Sequence, residues 1–285
     1  MTSPNFEIRN LSYEDIEEVT DWSQVEGWNP GVYDAEIYSE FAPGDFYGGF
    51  LNDQLVCSLS AVNYQSKICH IGFRLVRPEF KDKGYDTILW EKVIQGINAE
   101  HFSTDSVAVK EEEYKKLGFT STFKHTRYMA KGLNLFKKPP KVRKYRYEDL
   151  EELINYDKQF FPADRSNLLE LWVQTEDLMQ TYIRRNTDGF INGVATVRQS
   201  EEGYRIGPLY ADNFQAAEEL FLTCANYAGN QETVFLDAPS NNNSAIRLAG
   251  KYRMKQTMEL TRHFSKAIPE LPYEHIYSVT SIEIG

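Results

Sequence analysis

Residues 76–86, Val-Arg-Pro-Glu-Phe-Lys-Asp-Lys-Gly-Tyr-Asp, contain the residue types from which an anion cradle is built. They follow an apolar, strand-like run over 70–76 and lead into a helix-like run over 87–97. A strand that feeds a short loop into a helix presents unpaired backbone N–H groups at the helix N-terminus, and these suit a phosphate. Gly84 permits close approach of the backbone, while Lys81 and Lys83 add positive charge. Arg74 and Arg77 extend the basic cluster. Asp86 breaks the pattern, because it stands where a second glycine is expected. A carboxylate near a phosphate in water-like surroundings costs on the order of 1 kcal/mol. Turned outward to cap the helix, the same side chain leaves its amide available.

The rest of the chain must position that loop. Its 285 residues are long enough for about two domains. With 41% hydrophobic and 14% aromatic residues it is not a disordered chain, and no apolar run approaches the ~20 residues of a membrane span. Residues 1–10 lack a basic segment followed by an apolar core, so no secretory signal is expected. Cys57, Cys69 and Cys224 form neither an even framework nor a C-x-x-C pair, which fits a reduced, cytoplasmic setting. A net charge of −11 argues against a nucleic-acid binder and is compatible with a small cationic substrate.

The chain contains one unit twice. Ile8-Arg9 opens Ile-Arg-x-x-x-Tyr-Glu-Asp-Ile-Glu-Glu, and Val142-Arg143 opens Val-Arg-x-x-x-Tyr-Glu-Asp-Leu-Glu-Glu. Each copy reads as a short strand followed by a helix, with Ser12 a candidate N-cap in the first. The later elements repeat in order. The first half has a hairpin about Asn52-Asp53-Gln54, the strand at 70–76, the helix at 87–97 and a strand at 106–109. The second has strands at 189–199 and 204–210, a helix at 214–227 capped by Asn213, a strand at 233–237 and a helix at 245–251. We therefore divide the chain into residues 1–135, a basic Pro-containing linker at 136–142, and residues 143–285.

These residues resemble the GNAT superfamily of N-acetyltransferases. The loop is similar to its pyrophosphate motif, R/Q-x-x-G-x-G/A, with Lys81 at the first position, Gly84 at the glycine and Asp86 at the last. Tyr114-Lys115-Lys116-Leu117-Gly118-Phe119 looks like the superfamily's Y-x-K-L-G-F segment. Glu26-Gly27-Trp28-Asn29-Pro30-Gly31 and the run Ile206-Gly207-Pro208-Leu209-Tyr210-Ala211-Asp212 resemble the YitH-type branch, in which two such domains lie in tandem. The resemblance implies an α+β fold of two tandem GNAT-like domains, each a mixed, mainly antiparallel sheet flanked by helices. It also implies a splayed pair of central strands that receives the pantetheine arm of acetyl-CoA, with no metal required.

Carried over by position, pantetheine pairs with backbone at Leu75, Val76 and Arg77, and the pyrophosphate rests on Lys81, Asp82, Lys83, Gly84, Tyr85 and Asp86. Acetyl transfer to an amine needs a proton acceptor, donors for the oxyanion and a proton for the departing thiolate. Tyr114 aligns with the residue that protonates the thiolate, or else is a core tyrosine buttressing the helix. His70, on the strand leading to the loop, is a candidate base with a reference pKa of ~6.5, or else a packed histidine. Glu111, Glu112 and Glu113 are a further source of base through water, or a solvated helix start. Cys69 and His70 cannot form a dyad, since adjacent strand residues face opposite ways. His70, His101, His125, His263 and His275 show no metal-ligand spacing. Trp28 and Asn29 fall in the loop that covers the acceptor site in the family, and Asp164-Arg165 occupies the comparable place in the second copy.

The function implied is an acetyl-CoA-dependent N-acetyltransferase acting on a small amine or an accessible lysine. The alternatives are a non-catalytic GNAT-like protein that binds acyl-CoA or a protein partner, and a monomer whose second domain stands in for a homodimer partner. The second copy reaches its helix through Tyr210-Ala211-Asp212-Asn213, without glycine or lysine, so CoA is expected only in the first.

Overall fold

The computed structural model describes residues 5–133, 139, 141–174 and 177–285. Of the expected linker at 136–142, only Pro139, Lys141 and Val142 fall among them. The first half runs β1 (Phe6–Asn10), α1 (Tyr13–Val25), α2 (Asp34–Phe41), β2 (Phe46–Leu51), β3 (Gln54–Tyr64), β4 (Ile68–Val76), α3 (Tyr85–Gly96), β5 (His101–Ser106), α4 (Glu111–Lys116) and β6 (Thr120–Lys131). Local chemistry sets these boundaries. Ser12 caps α1 in a capping box with Asp15, Oγ accepting from the Asp15 amide at 3.2 Å and Asp15 accepting from the Ser12 amide at 3.0 Å. Asn52 and Asp53 take positive φ between β2 and β3, as a tight hairpin requires. The strand expected at 106–109 lies earlier. Its residues form a 3₁₀ turn after β5 instead, leaving Val109 90% exposed.

The second half repeats the succession: β7 (Val142–Lys144), α5 (Leu150–Asp157), α6 (Ser166–Trp172), β8 (Met179–Arg185), β9 (Ile191–Ser200), β10 (Gly203–Ala211), α7 (Phe214–Ala228), β11 (Thr233–Pro239), α8 (Asn243–Lys251) and β12 (Lys255–Phe264), followed by β13 (Ile276–Ser278). The shared Tyr-Glu-Asp motif does the same work in both halves, since Asp149 accepts from the Arg146 amide at 2.9 Å as Asp15 does from Ser12.

All strands join one 13-stranded sheet ordered β1-β2-β3-β4-β5-β12-β6-β11-β10-β9-β8-β7, with β13 on β10. Among the described residues pairing is parallel only between β4 and β5 and between β10 and β11, and the other pairs are antiparallel. The order reads alike from either end, with the sixth strands exchanged. β6 pairs with β11 of the second half, and β12 pairs with β5 of the first. Helices α3 and α4 cover one face of the first-half sheet over Val56, Leu59, Ile71, Trp90 and Tyr114. On the other face, Tyr38, Phe46 and Phe73 pack with Leu168 and Trp172 from α6, so one core draws on both halves.

Both parallel pairs separate after a few residues. β4 follows β5 from Ile68 to Ile71 and then departs at Gly72 and Phe73, the latter at φ 43°. β10 follows β11 only over Tyr204–Ile206, and beyond that β13 takes over as its partner at Leu209 and Tyr210. The chain itself therefore fills the second opening and leaves the first. Residues 279–285 then cross to the first half, where Glu283 O lies 2.0 Å from the position of a Cβ on Gly72. Gly72→Ala is expected to cost about 1–3 kcal/mol of stability by displacing that backbone. An unchanged midpoint in urea unfolding would contradict this seating.

Candidate active site

The opening between β4 and β5 is a cleft of about 720 Å³, its mouth included. Gly72, Phe73, Arg74 and Leu75 line one wall, Thr104, Asp105 and Ser106 the other, and Tyr114, Trp28 and Ile282 close the rest. The Arg77 amide bonds to Val56 O at 2.9 Å, on the β3 side. Strand alternation turns Leu75 the same way and leaves the Val76 amide facing the opening. Of the three backbone positions expected to meet pantetheine, Val76 is thus the one with a free donor.

Asp82 and Gly84 take left-handed conformations, with φ 63° and 77°, and Gly84 is the residue before α3. No side chain caps α3, whereas Asn213 caps α7 by accepting from the Ala216 amide at 3.0 Å. The N-terminal amides of α3 therefore have no side-chain acceptor, while one of those of α7 is taken by Asn213. Lys81 pairs with Glu26 at 2.9 Å, Lys83 lies 4.7 Å from the centre of the Phe80 ring, and Arg77 pairs with Glu18. Tyr85 stacks on Phe6 at 5.0 Å.

Asp86 neither caps α3 nor enters the loop. Its carboxylate reaches Arg74 at 2.9 Å, and Glu113 meets the same Nη2 at 2.6 Å. The Arg74 side chain is 6% exposed, and among the described residues its Nε and Nη1 have no hydrogen-bond partner. Burial works against its charge, but Tyr114, Asp86 and Glu113 hold its pKa above the ordinary value. A charged guanidinium with spare donors thus lines the cleft beside Tyr114, whose ring centre is 5.8 Å from the Arg74 carbon. Tyr114 is buried, stacks on His263 at 5.2 Å and meets Trp90 edge-on at 5.7 Å.

His70 is not among the residues lining the cleft. Nδ1 lies 2.9 Å from Ser103 Oγ and Nε2 3.2 Å from Ile282 O, so both ring nitrogens are engaged. Burial, reinforced by the Arg262 guanidinium, lowers its pKa to about 3. Its geometry is that of a packed histidine pinning β4, β5 and residue 282.

Trp28 lines the cleft and packs against Phe73 at 5.9 Å, while Asn29 points away from it. Asn29 Nδ2 donates to Ser200 Oγ at 3.0 Å and to Glu202 O at 3.2 Å, and Oδ1 accepts from the Glu202 amide at 3.0 Å. Asn29 thus clasps the loop to the β9–β10 turn of the other half and offers a substrate nothing further. Arg165 is likewise occupied locally, bonded to both oxygens of Asp157 at 2.8 and 2.6 Å. Asp105 and His125 carried no motif in the sequence that marks a site, and Arg74 stood out only as part of the basic cluster around the loop. The structure places Asp105 in the cleft wall, bonded by Arg262 at 2.9 and 2.7 Å and 3.2 Å from His125 Nδ1. Among the described residues, no group of three or more His, Cys, Asp or Glu could hold a metal ion.

Splayed central strands, a glycine-opened helix start and a tyrosine at the divergence give this cleft the geometry of a GNAT-type acyltransferase. The model of the acetyltransferase (GNAT) domain matches residues 153–278, in the half that lacks the loop. A holothin acyltransferase from Pseudoalteromonas sp. (strain SANK 73390) is 28% identical over 274 residues, covering 96% of this chain and 92% of the relative. The uncharacterized N-acetyltransferase YitH of Bacillus subtilis (strain 168) is 24% identical over 222 residues, 76% of this chain and 77% of its own. A putative acetyltransferase from Pyrococcus horikoshii superposes with a TM-score of 0.81 at 20% identity, over 100% of this chain and 98% of its own. No helix among the described residues is long and apolar enough to cross a membrane.

Proposed function

We propose that the protein moves an acetyl group from acetyl-CoA to a primary amine of a small molecule or an accessible lysine, using the cleft of the first half. The observation that carries this reading is the pair of openings. The β4–β5 opening is free and ends at an uncapped helix, while the β10–β11 opening is occupied by β13 and ends at a capped one. Residues 1–135 thus act as the CoA-binding domain and residues 143–285 as the mate that completes its walls.

In this reading the pyrophosphate rests on the α3 amides near Gly84, and pantetheine enters past Leu75 toward the Val76 amide. The thioester carbonyl takes donors from Val76 and from the unpartnered Arg74 nitrogens. The amine lone pair bonds to the carbonyl carbon, the C–S bond breaks, the Tyr114 phenol protonates the departing sulfur, and the proton lost from the amine nitrogen passes through water to restore the phenol. A small-molecule acceptor is supported by the relative named for holothin.

Titration calorimetry with acetyl-CoA tests the donor. One site per chain is expected, and Gly84→Val should abolish it, because a β-branched residue at φ 77° must abandon the loop conformation. Two sites per chain, or none, would refute the assignment.

A further inference from the structure

An alkylamine in neutral water is an ammonium ion with three protons. On acetyl transfer the amide keeps one and the thiol gains one by way of Tyr114, so the third must leave the cleft for solvent. Most ionisable groups in the walls are poorly placed to carry it. Asp105 is bonded twice by Arg262, at 2.9 and 2.7 Å, Glu26 is paired with Lys81 at 2.9 Å, and Arg74 and Lys110 are already cations. Ser106 leads elsewhere. It lines the cleft at the end of β5, and its Oγ lies 2.8 Å from Nε2 of His263 on β12. On the far side of the ring, Nδ1 lies 3.3 Å from Oγ of Ser121, a half-buried residue of β6. His263 itself is buried, and the Tyr114 ring stacks on it at 5.2 Å. A serine hydroxyl both donates and accepts, so either nitrogen of this imidazole can carry the hydrogen. His70 lacks that freedom, because its Nε2 faces Ile282 O, which only accepts and so fixes the hydrogen there. Burial lowers the pKa of His263. Asp105 of β5 and Glu111 of α4 oppose the shift, while Arg262 on its own strand and Lys115 of α4 add to it. Its β6 partner, Ser121, is uncharged. A ring in that state is neutral at pH 7 and hands a proton on instead of keeping it.

We propose that Ser106, His263 and Ser121 form the exit by which the surplus proton of an ammonium acceptor leaves the cleft. The proposal rests on the acyl-CoA reading above. A proton from the ammonium nitrogen passes, directly or over one water, to Ser106 Oγ as the Ser106 hydroxyl hydrogen passes to His263 Nε2. The hydrogen on Nδ1 then leaves through Ser121 to water. Exchange with water through the same two serines resets the tautomer between turnovers. The amine so freed bonds to the carbonyl carbon, and amide, thiol and one released proton are the products. Because β12 belongs to the second half, the strand exchange is what brings this histidine to the first-half cleft.

Thiol release at saturating acetyl-CoA tests the proposal with two acceptors, benzylamine, which is an ammonium ion at pH 7, and aniline, which is uncharged and has no surplus proton. His263→Gln is expected to lower the benzylamine-to-aniline ratio of kcat by ~10-fold or more, and raising the pH toward the pKa of benzylamine should restore it. Ser106→Ala removes the cleft end of the exit, is expected to lower the same ratio, and serves if His263→Gln fails to fold. A ratio that stays at the wild-type value, or a pH-independent loss shared equally by both amines, overturns the exit and leaves His263 a packing residue. Nitrogen-15 spectra of the imidazoles decide the matter if the wild type accepts neither amine. His263 is expected to show both neutral tautomers in exchange, with His70 fixed in one, and a single tautomer at His263 overturns the proposal. Absence of acetyl-CoA binding to the wild type brings down the acyl-CoA reading itself, and is read separately by calorimetry.

Discussion

Asp237→Ala is expected to cost about 3–5 kcal/mol of unfolding free energy, a large fraction of the ordinary stability of a folded protein. Asp237 sits on β11 where the two halves meet. Its carboxylate bonds to Arg127 of β6 at 2.6 and 2.9 Å and to Arg205 of β10 at 2.9 Å. Arg205 continues to Glu283 at 2.9 Å, and Arg127 also donates to Trp28 O in the cleft wall. All four charged groups of this junction are buried, so removing the acid strands the Arg127 guanidinium without a counter-charge and leaves Arg205 with Glu283 alone. Arg127→Met with Asp237→Leu should recover part of the loss, because an apolar pair avoids the desolvation cost. Burial opposes the charged form of Asp237, yet Arg127 and Arg205 hold its carboxyl well below the usual range. The sign follows from that direction. The contribution is full above the unfolded carboxylate pKa of ~3.9 and is lost as pH falls toward the folded value. Urea midpoints between pH 3 and 7 should therefore fall steeply at the acid end for the wild type and less so for Asp237→Ala. Parallel pH profiles would show that the carboxylate does not carry the junction.

Tyr114→Phe is expected to lower kcat by roughly 10²–10⁴-fold while leaving acetyl-CoA affinity and stability near wild type. The phenol faces the cleft beside a guanidinium with two unpartnered nitrogens, so loss of the hydroxyl removes the proton donor and little packing. The ring's contacts with Trp90, Phe119 and His263 all persist in phenylalanine. Thiol release under single-turnover conditions separates the chemical step from product release. If the single-turnover rate is unchanged, the tyrosine is a core residue and the thiolate leaves without it.

The duplication was legible because its motif works locally. Asp15 and Asp149 each accept from a backbone amide three residues earlier, a bond that sequence spacing alone can specify. The strand exchange was not. Alternation along a strand says which face each residue takes, never which strand lies beside it. β5 was misplaced for a related reason. Its residues, His-Phe-Ser-Thr-Asp-Ser, look like loop, but Ser103 meets His70, Asp105 meets Arg262, and Ser106 meets His263. A polar strand is stable in the core when its side chains are paired, and such departures concentrate at sites. Tyr114 was visible through its neighbours Lys116, Leu117, Gly118 and Phe119. Asp86 was visible only as an anomaly, since its partner Arg74 lies across the loop. Asn29 was expected to meet substrate because its loop was recognised, but the Ser200 and Glu202 partners that occupy it come from the other half.

The exchanged strands also set an order of events during synthesis. While the ribosome is still making the second half, β5 has no neighbour on one side, because that neighbour is β12 at residues 255–264. An unpaired edge beside a half-built apolar wall is the kind of surface on which nascent chains associate wrongly. The acyl-CoA cleft lacks Leu260 and Ile282 until the same moment. The cleft is therefore completed late, once residues 255–282 are made, and a ribosome-bound first half has no finished site to use.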